Sequence, residues 1–194
     1  MTYRPTTFMN TDYGAWSDPP GRADLAPAQY SPIRMECQGL ITDPRGFVLL
    51  VNPDDRDGWT LPGGPARSGE LPHLAATRTV RAETGLELHF SDALIVDITP
   101  HPHSPQTVNH VFGAQVTTQA AATATIPARA LARIGEIAWV GPGHVPGRCA
   151  DGHARRIRSA LLRLADPFAP VYHVDGRAVG PEGEHRRRTT RAGR

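Results

Sequence analysis

Hydrophobic residues run in short, nearly continuous stretches through the middle of the chain, a pattern typical of buried β-strands. Two such stretches, 34–42 and 47–51, flank residues 43–46, whose sequence DPRG has the residue types of a type I turn. We therefore predict a β-hairpin here. We predict a further strand over 59–61 that stops at a glycine turn over 62–64.

Two other segments repeat their apolar residues at the spacing of an α-helix. The first covers 72–84 and stops before Gly85, a residue suited to a helix C-terminus. The side chains that can share its inner face are Leu74, Ala76, Val80 and Thr84. The second helix covers about 152–165, with an apolar stripe of Ile157, Leu161 and Leu164.

Further strands are predicted over 93–98, 108–117 and 136–140, and a small hairpin over 172–179 around an Asp-Gly turn. The order hairpin, strand, helix, strands, helix predicts a mixed α/β layout. With 194 residues, the chain is long enough for one domain with a proper core.

The composition divides the chain into three parts. Residues 1–32 are rich in Pro, Gly, Thr and Asp without helical or strand period, so we expect an extended arm. The domain itself is expected over 33–168. Residues 169–194 are expected to hold the small hairpin and a basic tail, which we interpret as a disordered end.

Charge and composition narrow the classes of function. The chain has no lysine, so its 21 basic residues are all arginine, which excludes a P-loop lysine and a Schiff-base lysine. The net charge is +2, with five arginines in the last ten residues, and we expect these to be solvated rather than to bind nucleic acid. No signal-peptide pattern and no membrane-spanning apolar run is present, so we expect a cytoplasmic protein.

The chemistry is concentrated in residues 59–86, WTLPGGPARSGELPHLAATRTVRAETGL. Backbone groups of a glycine turn and carboxylates on one helix face can converge on a single cation. Mg²⁺ suits such a site, because it accepts one or two protein carboxylates and takes its other oxygens from water and substrate phosphate. The segment therefore indicates a site for a metal-bound diphosphate.

This segment resembles the box of the Nudix hydrolase family: Gly, five spacers, Glu, seven spacers, then Arg-Glu-apolar-any-Glu-Glu-any-Gly-apolar. Seven of its nine defined positions match, namely Gly64, Glu70, Arg78, Val80, Glu83, Gly85 and Leu86. The resemblance extends from about Met35 through Val140. It implies a single-domain α/β/α sandwich around a mixed β-sheet.

Two box positions depart from the family pattern: Thr79 and Ala82 stand where the family has glutamates. Carried over by position, Glu83 would be the catalytic metal ligand, and the carbonyl of Gly64 a second ligand. The resemblance also implies that Glu70 and Arg78 form an ion pair that braces the loop against the helix.

Groups outside the box offer possible replacements for the missing carboxylates. Asp97, His101, His103 and His110 lie in or beside the polar stretch 97–110, where family members often place a further base or ligand. The alternative, which we favour, is an ordinary exposed loop, because short histidine motifs often arise by chance.

The resemblance implies hydrolysis of a diphosphate linkage in a nucleoside diphosphate derivative, with Mg²⁺ or Mn²⁺ as cofactor and reduced activity as one outcome of the lost carboxylates. The expected partner is this small-molecule substrate; no membrane or nucleic-acid partner is expected, and homodimers are common in the family. The alternative is a non-catalytic Nudix-fold module that binds a ligand or acts as an accessory subunit. Substrate choice in this fold lies in loops outside the box, here 52–58 and 97–109.

Overall fold

A computed structural model of the chain describes residues 33–55, 58–101 and 104–179. The predicted arm over 1–32 and the basic tail from 180 onward lie outside the described residues. The strands are β1 (Ile33–Thr42), β2 (Val48–Pro53), β3 (Gly63–Pro65), β4 (Ala93–Thr99), β5 (Gln106–Gln115), β6 (Ile134–Val140), β7 (Tyr172–Val174) and β8 (Arg177–Ala178). The helices are α1 (Pro72–Thr84), α2 (Thr118–Ala122) and α3 (Asp151–Ala165), with 3-10 turns at Ala128–Ala130 and Pro142–Gly147.

The strands form one mixed eight-stranded sheet in the order β6-β2-β1-β5-β4-β7-β8, and β3 pairs with β1. The β1–β5 and β4–β7 pairs are parallel, and the other pairs are antiparallel. Helix α1 covers one face of the sheet and α3 the other. The predicted α/β/α sandwich is therefore confirmed.

Strand β1 supplies both faces of the core because its side chains alternate across the sheet. Leu40 packs with Ile157 of α3, and the next residue, Ile41, packs with Val80 of α1. All four of these side chains are essentially fully buried. The two apolar layers hold both helices against the same strand.

The predicted hairpin between β1 and β2 is confirmed. The Asp43 carboxylate accepts hydrogen bonds from the backbone N–H of Arg45 and Phe47, each at 2.9 Å. Gly46 closes the turn with φ of +76°, a conformation that glycine adopts without steric cost.

The prediction of a strand over 59–61 is wrong. Thr60 makes only an isolated bridge to Val51, and the strand follows it, at β3. Gly63 has φ of +152°, and a Cβ there would lie 2.3 Å from the carbonyl oxygen of Cys37. Two consecutive glycines favour a turn in the sequence. In the structure their missing side chains instead allow the backbone of β3 to lie close to β1.

Helix α1 has the predicted bounds, and Gly85 ends it in the left-handed conformation, donating its N–H to the Arg81 carbonyl. The predicted inner face is wrong at Leu74, whose side chain is 51% exposed. Leu74 is two positions from the buried Ala76, which at 3.6 residues per turn places it about 200° around the helix. Small residues, Ala75 and Ala76, occupy the contact with the sheet and let the helix pack closely.

A buried ion pair links the C-terminal hairpin to the sheet. Arg156 of α3 donates to the Asp97 carboxylate of β4 at 2.8 Å, and the other oxygen of Asp97 accepts the N–H of Gly176 at 2.8 Å. Gly176 lies in the β7–β8 turn, as the Asp-Gly pair predicted, and β7 extends the same sheet beside β4.

None of the helices in the described ranges combines the length and the hydrophobicity needed to span a lipid bilayer.

Replacing Asp97 with Ala should destabilise the fold by about 3–5 kcal/mol, because it leaves the Arg156 guanidinium buried without its counter-charge. Urea unfolding measures the change. Glu87→Ala is the control, since Glu87 pairs with Arg81 at 2.9 Å on the exposed surface and should change stability by less than about 1 kcal/mol. Equal effects of the two substitutions would contradict a role for this pair in stability.

Candidate active site

Gly64, Arg78 and Glu83 of the box line one cavity of about 390 Å³. We call this the box cavity. It lies where β3 runs beside β1 and the C-terminal half of α1 packs against them. Strand β3 contributes Gly63 and Gly64, which we call the glycine elbow. Helix α1 contributes Arg78, Thr79, Ala82 and Glu83.

Glu83 is the box carboxylate of this cavity. Its side chain is half-buried, and its Oε2 accepts a hydrogen bond of 2.8 Å from the backbone N–H of Gly63. This bond fixes the carboxylate beside the glycine elbow instead of leaving it in bulk solvent. Strand β3 and helix α1 thus meet at this wall of the cavity.

The glycine strand is held tightly between β1 and α1. A Cβ on Gly64 would lie 3.3 Å from Cγ2 of Thr79, and one on Gly63 would clash with the Cys37 carbonyl. Both glycines therefore follow from close backbone packing. Their backbone forms the wall of the cavity facing Glu83.

The two departures from the family pattern leave little polar capacity on the helix. The Thr79 hydroxyl donates to the carbonyl of Ala75 at 2.7 Å, within its own helix, and the side chain is only 7% exposed. Because its proton is committed there, Thr79 can offer a water only a lone pair. Ala82 lines the cavity with a methyl group.

Donor chemistry decides how a cation could fit here. Within residues 33–55, 58–101 and 104–179, no group of three or more His, Cys, Asp or Glu side chains could hold a metal ion. Mg²⁺ nevertheless binds through one or two carboxylates when substrate phosphates complete its shell. The donor set therefore fits one cation shared with a substrate diphosphate.

Glu70 and Arg78 form the ion pair that the resemblance implied. Nε and Nη2 of Arg78 donate to the two carboxylate oxygens of Glu70, each at 2.7 Å. Arg78 also donates to the Pro65 carbonyl, and Glu70 accepts the N–H of Arg67. The pair fastens the loop between β3 and α1 onto the helix, and the Arg78 hydrogen bonds together with the Arg67 N–H lower the pKa of Glu70 to about 2.

Several charged or polar residues of the cavity were not predicted from the sequence. Arg34, Glu36 and Gln38 of β1 line it, as do Asp55 and Arg133. A signal for the first three existed, because polar residues at every second position of a strand share one face. Asp55 lies within the 52–58 loop that was expected to affect substrate choice.

The groups considered as replacement ligands do not line the box cavity in the described part of the chain. Asp97 is committed to Arg156 in the core. His110 faces the α1 side of the sheet, where burial lowers its pKa, and His101 contacts the Thr107 hydroxyl at 3.3 Å. His103 lies outside the described residues.

Trp59, Cys37 and Cys149 lie in the apolar core or against it. Trp59 packs against the α3-side core, with the Arg148 guanidinium 4.9 Å from its ring centre. Burial raises the pKa of Cys37 and of Cys149 to about 11, so neither thiol is a ready nucleophile at neutral pH.

Comparison with known proteins places this geometry in context. The NUDIX domain family model matches residues 37–160. A MutT protein from Methanosarcina mazei Go1 has a similar structure (TM-score 0.57, 19% identity, covering 70% of this chain and 97% of that one). No curated protein sequence matches the chain.

Two further solved structures share the fold at similar distance. One is a UDP-X diphosphatase, with a TM-score of 0.58 and 20% identity, covering 77% of this chain and 71% of that one. The other is the NUDIX domain of Shewanella oneidensis NrtR complexed with ADP ribose, with a TM-score of 0.58 and 19% identity, covering 73% and 95%.

The Glu70 carboxyl should titrate near pH 2 in the folded protein, because Arg78 and the Arg67 N–H stabilise its charged form. Its contribution to stability is therefore complete above the ordinary pKa of 4.5 and is lost as the pH falls towards 2. Carboxyl-carbon NMR follows this titration. Arg78→Met should move the midpoint up towards 4.5, whereas Arg81→Met, on the same helix, should not; an unmoved midpoint in Arg78→Met would refute the assignment.

Proposed function

This chain belongs to the Nudix family, and from that premise we propose that it hydrolyses a diphosphate linkage in a nucleoside diphosphate derivative, using Mg²⁺ or Mn²⁺. The observation that carries the proposal is the position of Glu83. Its carboxylate lines the box cavity and accepts the N–H of Gly63 at the glycine elbow. A cytoplasmic location and a homodimer stay predictions from the sequence.

In this proposal Glu83 and the carbonyl of Gly64 hold the cation together with the substrate. When bound, the cation supplies charge neutralisation on the diphosphate and lowers the pKa of an attacking water. One protein carboxylate gives weak affinity for the cation alone, so we expect cation and substrate to bind together.

Other residues in or beside the cavity attract the substrate, hold the glycine elbow in place or can accept a proton. Arg133 lines the cavity and attracts the anionic diphosphate. Arg78 braces the loop through Glu70 and keeps the glycine elbow in place against Glu83. Thr79 cannot act as a base at neutral pH, which leaves Glu83, Glu36 and Asp55 as the carboxylates of the lining that can accept the proton of water.

The second candidate function is a non-catalytic module that binds the same class of ligand. Two residues of the cavity favour this candidate. The Thr79 hydroxyl donates its hydrogen bond within its own helix, and Ala82 has no carboxylate. The absence of glutamates at positions 79 and 82 would lower the rate of hydrolysis but leaves the cavity open to a ligand. The two candidates therefore differ in turnover and not in binding.

Glu83→Gln should lower metal-dependent turnover by at least about 10²-fold, because it removes the cavity's box carboxylate. The measurement is phosphate or nucleotide release from a panel of nucleoside diphosphate derivatives with Mg²⁺ or Mn²⁺. Glu87→Gln, an exposed glutamate just beyond the same helix, is the control and should keep wild-type rates. Ligand-induced thermal stabilisation without turnover in the wild type would favour the binding module instead.

Ala82→Glu should raise affinity for Mn²⁺, measured by titration calorimetry, because it adds a second carboxylate to the wall that carries Glu83. The double change Thr79→Glu with Ala82→Glu should raise it further, provided that thermal unfolding shows an intact fold. Leu74→Glu adds the same charge on the exposed side of α1 and should have no effect. An unchanged affinity in Ala82→Glu would mean that the cavity does not bind cations at this wall.

A further inference from the structure

A second cavity of about 200 Å³ adjoins the box cavity and shares three lining residues with it, Arg34, Glu36 and Gln38 of β1. We call it the side cavity. We propose that the side cavity binds an uncharged, hydroxylated ring of the substrate, a sugar attached to the diphosphate, and that the Gln38 amide recognises one of its hydroxyl groups. This inference rests on the proposed function, because the diphosphate in the box cavity is what delivers the ring.

The sheet explains why the two cavities communicate. Along β1, Glu36 lies opposite Pro65 of β3 on one side and opposite Asn109 of β5 on the other. Strand β3 carries the glycine elbow, and Asn109 lines the side cavity. Arg34, Glu36 and Gln38 of β1 thus form a wall that both cavities share. A ligand anchored beside Glu83 can extend across this wall.

Gln38 has an unused hydrogen-bonding atom at this wall. Its side chain is 7% exposed, and its Nε2 donates weakly to the Thr60 hydroxyl at 3.4 Å. Its Oε1 is buried without a hydrogen-bond partner among the described residues. A buried acceptor without a partner is costly, and a ligand O–H supplies that partner.

The floor of the side cavity is polar and already ordered. Asn109 donates to the Asp97 carbonyl at 3.0 Å and to the Thr99 hydroxyl at 3.1 Å, and Arg156 donates to the same hydroxyl at 2.8 Å. Such a floor disfavours an apolar group, whereas sugar hydroxyls can both donate and accept. Among the described residues, no Phe, Tyr or Trp lines either cavity, and the rings at the side cavity are the imidazoles of His101 and His153.

Charge and size favour a single neutral ring. Arg156 is paired with Asp97, and Arg34 lies 4.0 Å from the Glu36 carboxylate, so the cations at the side cavity have nearby anions. Each arginine among the described lining residues therefore has a carboxylate beside it, which disfavours a further phosphate there. Drug-sized ligands occupy about 300–1,000 Å³, and the smaller side cavity suits one ring.

The test compares two ligands that carry the same nucleoside diphosphate, one with a hydroxylated ring and one with a ring that has no hydroxyl groups. One is a nucleoside diphosphate hexose, and the other is the cyclohexyl ester of the same nucleoside diphosphate. Both ligands carry a methylene group in place of the oxygen that bridges the two phosphates, so binding is measured with Mg²⁺ present and without turnover, by NMR titration of the side-chain amide signals. We expect the hexose ester to bind at least about tenfold more tightly and to shift the Gln38 amide signal, because one satisfied buried hydrogen bond is of that order.

Gln38→Met keeps the volume of the side chain and removes the amide, so it should abolish the preference while leaving the affinity for the cyclohexyl ester unchanged. Gln115→Met, at the exposed end of β5, is the matched control and should keep the preference. Equal binding of the two esters, binding of neither, or a preference that survives Gln38→Met would overturn the inference. Selective binding together with absent turnover in the Glu83 assay would support the inference and refute only the hydrolase.

Discussion

The site depends on how closely the Gly63–Gly64 backbone can approach its neighbours. A side chain at Gly63 would collide with the Cys37 carbonyl of β1, and one at Gly64 would press against Thr79 of α1. Because both residues are glycine, strand and helix close on the elbow from two sides, and the Gly63 N–H reaches the Glu83 carboxylate. Packing in the backbone therefore determines where the negative charge of the site lies.

The charged residues near this elbow have two different roles. Glu70 and Arg78 satisfy one another and hold the loop. Glu83 lies in the wall of the cavity beside Thr79 and Ala82, which carry no carboxylate, and the proposed cation would therefore bind together with the substrate. Arg34, Glu36 and Gln38 of β1 line both this cavity and the side cavity.

Local rules predicted much of this arrangement from the sequence. The turn at 43–46 and the bounds of α1 depend on neighbours close in the chain, whereas the Glu70–Arg78 pair was implied by the resemblance to the Nudix box. Long-range contacts decided what was missed: the pairing of β3 depends on Cys37, and Asp97 is committed to Arg156, 59 positions away. Leu74 was assigned to the wrong side because its hydrophobicity outweighed its helical phase.

The most direct test of the central claim is the location of a bound cation. We would add Mn²⁺ with a non-hydrolysable methylene analogue of a nucleoside diphosphate derivative and measure paramagnetic broadening of the backbone amide signals. The account predicts the strongest broadening at Gly63, Gly64 and Glu83, with Leu74 on the far side of α1 much less affected. Strongest broadening around His101, with the elbow signals unchanged, would contradict it.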